Sequence, residues 1–477
     1  MMILSSCEEA PLLDTSEIEL STSLDTLRFD TVFTEIGSIT RFVKIYNHES
    51  QPVIVDDISL ASNDQSFFRI NVDGFIGPSV QDIRIEAEDS IYVFVETTID
   101  PNLPLSASPF IIEDSIYITA SESTYSINLE AFGQNANYIP NRQSAGDINA
   151  LPCSGTIVWD DEKPYVIYGV LAIDQCDLVI AAGTKVYVHG GIAINDLGIF
   201  NDGLIVVTET GSITTQGTPD DPVYFRTDRL EPSFQDIPGQ WAGIFIQANS
   251  RNNEFNNTII QHSIAGLSID SSASINLRNS ELSFTSGAGL TASHAFVNAE
   301  NCLFYENGTG GVSINYGGSY TFNYCTIGNY NNQGPALSMN NIRCTDPLCQ
   351  EEIFVFPLSA EFNNCIITGN EMDEISLFDI TDGEPGAFEY SLDHCAVTVQ
   401  DLLQDDVFPD FFSNCESCLE IDRTDTIFFD IDNYDYHLDT LSIVIDQGFQ
   451  IPQITRDLEG NPRENGAEDI GCYEFQK

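Results

Sequence analysis

The sequence predicts an all-β protein, an immunoglobulin-like β-sandwich followed by a right-handed parallel β-helix. Two observations carry that expectation. Short alternating apolar runs recur between turn signals up to about residue 134, and an internal repeat of 22–23 residues sets in beyond. Thirty-three glycines, twenty prolines and few helix-like periodic runs agree with a chain of many turns. At 477 residues the chain exceeds one ordinary core, and with 42% hydrophobic and 19% charged residues it reads as globular.

Residues 1–21 read as a tether with Glu8, Glu9 and Pro11 and little periodicity. Residues 22–134 read as the sandwich. Phe42-Val43-Lys44-Ile45-Tyr46 leads into a turn, Ile91-Tyr92-Val93-Phe94-Val95 ends near Asp100-Pro101, and Tyr125-Ser126-Ile127-Asn128-Leu129 closes the unit. Roughly seven such strands in about a hundred residues is the sandwich pattern. Residues 135–161, rich in Asn, Pro, Gly and Ser, read as a linker, and 162–477 as the β-helix.

The repeat fixes the β-helix. Thr258, Ser280, Cys302, Cys325, Cys365 and Cys395 form one column, spaced by 22, 22, 23, 40 and 30 residues, the last two carrying loop insertions. Two residues on stand Ile260, Leu282, Phe304, Ile327, Ile367 and Val397; three residues before stand Phe255, Leu277, Ala299, Phe322, Phe362 and Leu392. One residue before is an asparagine-rich column, Asn257, Asn279, Asn301, Tyr324, Asn364 and His394. A 22–23-residue period is one turn of a three-sided β coil, whose rungs stack about 4.8 Å apart with alternate side chains inward. Asparagine suits the sharp turn because it tolerates left-handed φ, and stacked amides bond from rung to rung. Leu178–Tyr187 and Gly211–Thr218 read as the first rungs, and Trp241 stands in a further one.

Leu4-Ser5-Ser6-Cys7 resembles a lipobox, the signal that places diacylglycerol on the cysteine of a bacterial lipoprotein. Leu27–Phe33 with Gly37-Ser38 looks like the opening of sandwich domains in Bacteroidota lipoproteins. Asp446-Gln447-Gly448, Asp457–Arg463 and Asp469-Ile470-Gly471-Cys472-Tyr473-Glu474 resemble the end of the choice-of-anchor Q family of β-helix surface proteins, with Cys472 where that family usually has Ala. The resemblance implies lipidation at Cys7, a place on the outer membrane facing the cell exterior, and no single activity.

The charge balance narrows the partners. Seventy-three acidic side chains against seventeen basic ones leave a net −56, which repels phosphate backbones and anionic headgroups. A cationic partner fits, as does a plain solvated surface, since the acids are spread along the chain. No stretch of 18 apolar residues is present to span a membrane as a helix.

Twelve cysteines raise metal and redox chemistry. The four in the repeat column are expected as buried free thiols. Cys344 and Cys349, in the long insertion, are expected to close a disulfide. For Cys415 and Cys418 a thioredoxin reading lacks its βαβ context, and a four-cysteine zinc site needs Cys344 and Cys349 close by; a local disulfide is the expected reading. Asp430, Asp432, Asp435 and Asp439 offer oxygens for Ca²⁺, but Tyr434, Tyr436 and Leu438 alternate through them as in a final half-exposed strand. No metal or cofactor is therefore expected.

A polysaccharide lyase would need a cationic base, and only Arg278 and Arg343 lie between Asn252 and Asp422. Paired carboxylates for glycoside hydrolysis are uninformative among so many acids. The expected function is thus non-enzymatic, with no catalytic residue: a lipid-anchored surface module that binds or scaffolds a glycan or an outer-membrane protein complex, and no nucleic acid. The alternative is a carbohydrate-active enzyme, lyase or hydrolase, on the same fold.

Overall fold

The computed structural model describes residues 11–13, 18–33, 40–97, 110–134, 136–139, 148–195, 198–230, 234–330, 332–346, 349, 351–381, 383–404, 411–422, 425–463 and 468–476. The lipobox and Cys7 lie outside them. The chain forms two compact units, Met1–Ala136 and Asn137–Lys477. Among the described residues no helix is long and apolar enough to cross a membrane.

The first unit is a two-sheet sandwich. Its strands are β1 (Leu20–Thr22), β2 (Thr26–Phe33), β3 (Arg41–Asn47), β4 (Val53–Leu60), β5 (Phe68–Val72), β6 (Phe75–Gly77), β7 (Ser79–Ile85), β8 (Ser90–Thr97), β9 (Phe110–Ala120) and β10 (Ser123–Gln134). One sheet runs β1-β3-β8-β5-β6, the other β2-β10-β9-β4-β7. Ten strands stand where about seven were expected, because short ones such as β1 and β6 leave little trace of alternation. Pairing is antiparallel except between β2 and β10. The period of two sends Val43, Ile45, Val93 and Val95 inward to meet Val55, Ile58, Ile116 and Ile118 in the core.

The second unit is a right-handed parallel β-helix of three faces. An eleven-stranded parallel sheet runs from Asn137–Ile139 to Leu419–Glu420. A seventeen-stranded sheet supplies the other two faces, joined at a corner that Ala288–Glu300 and Gly310–Asn323 pass through without a break. His294 and Tyr316 take positive φ at that corner, and the register slips there, so the strand bends while its ladder continues.

The repeat columns are the interior. Thr258, Ser280 and the four cysteines are buried, as are all members of the apolar columns on either side. Phe322 stacks on Phe362 from the next coil, ring centroids 5.0 Å apart. Burying each of these side chains contributes roughly 1.5–3 kcal/mol, and the stack repeats that gain rung by rung. Every member of the turn column has left-handed φ, from 45° at Asn257 to 51° at Tyr324 and Asn364. The amides do bond between rungs, Asn301 to Asn279 at 2.9 Å and, beside the turn, Asn363 to Asn323 at 2.9 Å.

One expectation is corrected. The stretch expected as a linker contains Asn137–Ile139, Ile148–Ala150 and Gly155–Trp159, which pair in parallel with Tyr165–Ile167, Val170–Ile173 and Cys176–Ala181. It is the first coil. Its strands are too short to show a period, and their partners arrive only one coil later. The half-exposed strand expected near the end is present in Asp435–Leu438, where half-buried and buried residues alternate. Phe428–Asp430 and Asp435–Leu438 form an antiparallel pair whose Tyr436 and Leu438 are buried. With residues up to Phe475 they roof the outer side of the eleven-stranded sheet, covering Leu303, Tyr305, Ile366 and Ala396.

Candidate functional site

The cysteines are distributed between staples and core. Disulfides join Cys344 to Cys349 and Cys415 to Cys418. A third, Cys153 to Cys176, ties the first coil to the second. Sequence reading missed it, although a separation of 23 residues equals one coil. Cys302, Cys325, Cys365, Cys395 and Cys472 are free and buried. The thiols of Cys302, Cys325, Cys365 and Cys395 lie 3.3–3.5 Å from backbone carbonyls that accept from them. Burial pushes the Cys302, Cys325 and Cys365 thiols far up, so these three stay protonated.

The four aspartates singled out for Ca²⁺ are not brought together. Asp430 accepts from Asn433 at 2.8 Å, Asp435 meets His437 at 2.6 Å, and Asp439 accepts from the backbone of Leu441. Among the described residues no three His, Cys, Asp or Glu side chains converge to hold a metal. Arg278 is tied to Glu300 at 3.1 Å, and Arg343 lies in the disulfide-closed hairpin Ile342–Cys344/Ile353–Val355.

Among the described residues three surfaces offer a place to engage a ligand. The first is the outer side of the sandwich sheet β1-β3-β8-β5-β6. The alternation that buries Val43 and Val93 turns Phe42, Lys44, Tyr92 and Phe94 outward. Phe42 lies opposite Phe94, and Lys44 opposite Tyr92; beyond them Phe94 faces Asn71, and Asn71 faces Ile76. Tyr92 and Phe94 stack at 5.7 Å, Phe42 meets Tyr92 edge-on at 5.2 Å, and the Lys44 ammonium lies 4.5 Å from the Tyr92 ring centre. These rings are 38–50% exposed, an aromatic patch on the outer side of the sheet. Beside Phe94 a cleft of about 190 Å³ is lined by Thr40, Arg69, Asn71, Ile76 and Glu96.

The second and third lie along the roof. Between the eleven-stranded sheet and the loop Leu458–Asn461 a cleft of about 440 Å³ holds Tyr224, Asn257, Asn279, Glu281 and Glu459. Burial, reinforced by the Glu459 charge, pushes the Glu281 carboxyl up to about 7. His437 bridges Asp435 and Glu459, the latter at 3.3 Å. Farther along, a cleft of about 540 Å³ is lined by the hydroxyl-bearing Tyr330, Thr368 and Thr398 and by Asp422, Asp425, Asp430 and Asp432.

The family model of the right-handed β-helix region matches residues 168–327. No curated protein matches the sequence. Among solved structures, a protein of unknown function from Porphyromonas gingivalis W83 is similar at 13% identity over 29% of this chain, with TM-score 0.19; the chain spans 59% of that protein's length. The catalytic unit of a GH87 alpha-1,3-glucanase from Streptomyces thermodiastaticus is 10% identical over 74% of this chain and 73% of its own, with TM-score 0.25. A family 123 glycoside hydrolase from Clostridium perfringens is 10% identical over 47% and 63%, with TM-score 0.21. Scores this low carry no argument about activity.

Proposed function

We propose that this chain is a lipid-anchored outer-membrane protein, displayed outside the cell, that binds a glycan without transforming it. The carrying observation is the exposed aromatic row Phe42, Tyr92 and Phe94 beside a polar cleft. Flat rings offer π faces to the C–H faces of sugar rings, while Arg69, Asn71 and Glu96 are placed to bond hydroxyls. Three disulfides support an oxidising compartment outside the cytoplasm, and Cys7 is the lipid site.

The test is a panel of soluble polysaccharides titrated against the protein and against a Phe42→Ala, Tyr92→Ala, Phe94→Ala variant. These side chains are outside the core, so the variant folds. We expect binding that falls at least tenfold in the variant, with no product released. Equal binding by both proteins, or none by either, overturns the reading.

One observation favours the enzymatic alternative. Glu281, held near 7 in a cleft it shares with Glu459, has the protonation a general acid needs. Product release that disappears in Glu281→Gln would establish that alternative instead.

A further inference from the structure

The aromatic row of the sandwich carries positive charge at two set places. The pairing register puts Lys44 opposite Tyr92, Phe42 opposite Phe94, Phe94 opposite Asn71, and Arg69 opposite Glu96. Lys44 and Arg69 therefore end a diagonal that crosses β3, β8 and β5, with Phe94 at its midpoint. Two strand spacings and four residues of rise separate their backbones by roughly 17 Å, a span of several sugar rings. Both cations are presented to a ligand. The Lys44 ammonium lies over the Tyr92 ring, 4.5 Å from its centre. Arg69 is exposed and lines the cleft beside Phe94. Although Glu96 stands opposite it in register, no ion pair joins the two.

We propose that this face selects a glycan built of uronic acids, with Lys44 and Arg69 setting the preference for carboxylate-bearing rings. The inference rests on the glycan-binding reading given above and names the kind of glycan. A guanidinium takes a carboxylate as a planar bidentate pair, and an ammonium steadied over an aromatic ring meets another as a point charge. A polymer with a carboxylate on every ring reaches both cations at once while its ring faces lie on Phe42, Tyr92 and Phe94. A neutral polymer gains only the stacking. The net charge of −56 opposes an anionic ligand at long range. At about 0.15 M salt, however, charges farther than about 8 Å are largely screened, so the groups within the face decide. The acids spread over the rest of the chain then discourage the same ligand from settling elsewhere.

Two matched pairs of hexasaccharides test this by calorimetric titration of the full chain at about 0.15 M NaCl. One is the β-1,4-linked glucuronate hexamer with cellohexaose, the other the β-1,4-linked mannuronate hexamer with mannohexaose. Within each pair the rings differ only at C6, carboxylate against hydroxymethyl. The variants are the double substitution Lys44→Met, Arg69→Gln, and Phe94→Ala; all three side chains lie on the outer face, so the fold is kept. We expect at least one uronate hexamer to bind tenfold or more tighter than its neutral twin. The double variant should bring the two within twofold by weakening the uronate alone, and Phe94→Ala should weaken both alike. Equal binding within each pair by the wild type overturns this inference and leaves the glycan-binding reading standing. Absence of binding by all four hexamers overturns the inference too, and the polysaccharide panel then decides the broader reading by itself. A uronate preference that survives in the double variant takes Lys44 and Arg69 out of this role and overturns the proposal as well.

Discussion

The column of cysteines shows how closely single positions are specified. Each thiol is small enough to sit between stacked rungs and has a carbonyl to accept its weak hydrogen bond. Cys325→Ala or Cys325→Ser should cost about 1–2 kcal/mol, whereas Cys325→Asp should cost several, because the position is fully buried among apolar rungs. Urea denaturation distinguishes them, and equal small losses would mean the column is not interior. Asparagine was legible at the turn, since its left-handed tolerance follows from its chemistry; Tyr324 and His394 adopt the same φ against their preference and were placed only by the column. Glu281 was not legible at all, for nothing local marks it among 73 acids. Its folded pKa, about 7, lies above the ordinary value of 4.5. The stability it contributes is therefore complete below pH 4.5 and is lost as pH rises through 7. Glu281→Gln should leave stability unchanged near pH 4 and raise it at pH 8 by up to about 3 kcal/mol, less where water reaches this half-buried group. His262, held down to about 4 by burial, contributes the opposite slope between 4 and 6.5, so wild type and variant must be compared at each pH. A variant curve parallel to wild type would remove Glu281 from this role.

At the scale of elements, the solenoid strands were readable because a coil is a local object, repeated before its pattern drifts. The roof was not, because its partners are remote. Arg463 is buried, pairs with Glu474 at 3.2 Å, donates to the Gly471 carbonyl at 2.9 Å and lies over the Tyr324 ring. It also donates to Asn301 at 2.9 Å, across 162 positions of sequence. No window along the chain relates those two residues. Removing the cation takes the ion-pair partner from a carboxylate that is 3% exposed, so Arg463→Met should cost about 3–5 kcal/mol. The loss should be confined to the roof. Hydrogen exchange should accelerate in residues 425–476 while the amides of Leu282, Phe304 and Ile327 stay protected. Uniform acceleration across all coils would show that the roof and the solenoid unfold as one.

For the whole molecule, the excess of 56 negative charges is a distributed load that the fold carries everywhere. Raising KCl from low to about 0.5 M shortens the Debye length below typical spacings between surface acids, so the melting temperature should rise by several degrees. A flat or falling melting temperature would mean that the acids are already neutralised by bound counterions. The aromatic row was present in the sequence as Phe42, Tyr92 and Phe94, but there it read only as alternation, since a strand pattern does not tell which of two apolar faces the core will take. The roof has a last consequence, which concerns inheritance. Solenoids lengthen and shorten by copying or dropping whole coils, since each coil needs only its neighbours. In this protein a duplicated 22-residue unit inserted between Asn301 and Tyr324 would leave the ladders continuous. It would also carry Tyr324 and Asn364 one rung away from the Phe449 carbonyl, which now accepts from both. The roof therefore measures the coils beneath it and fixes their number.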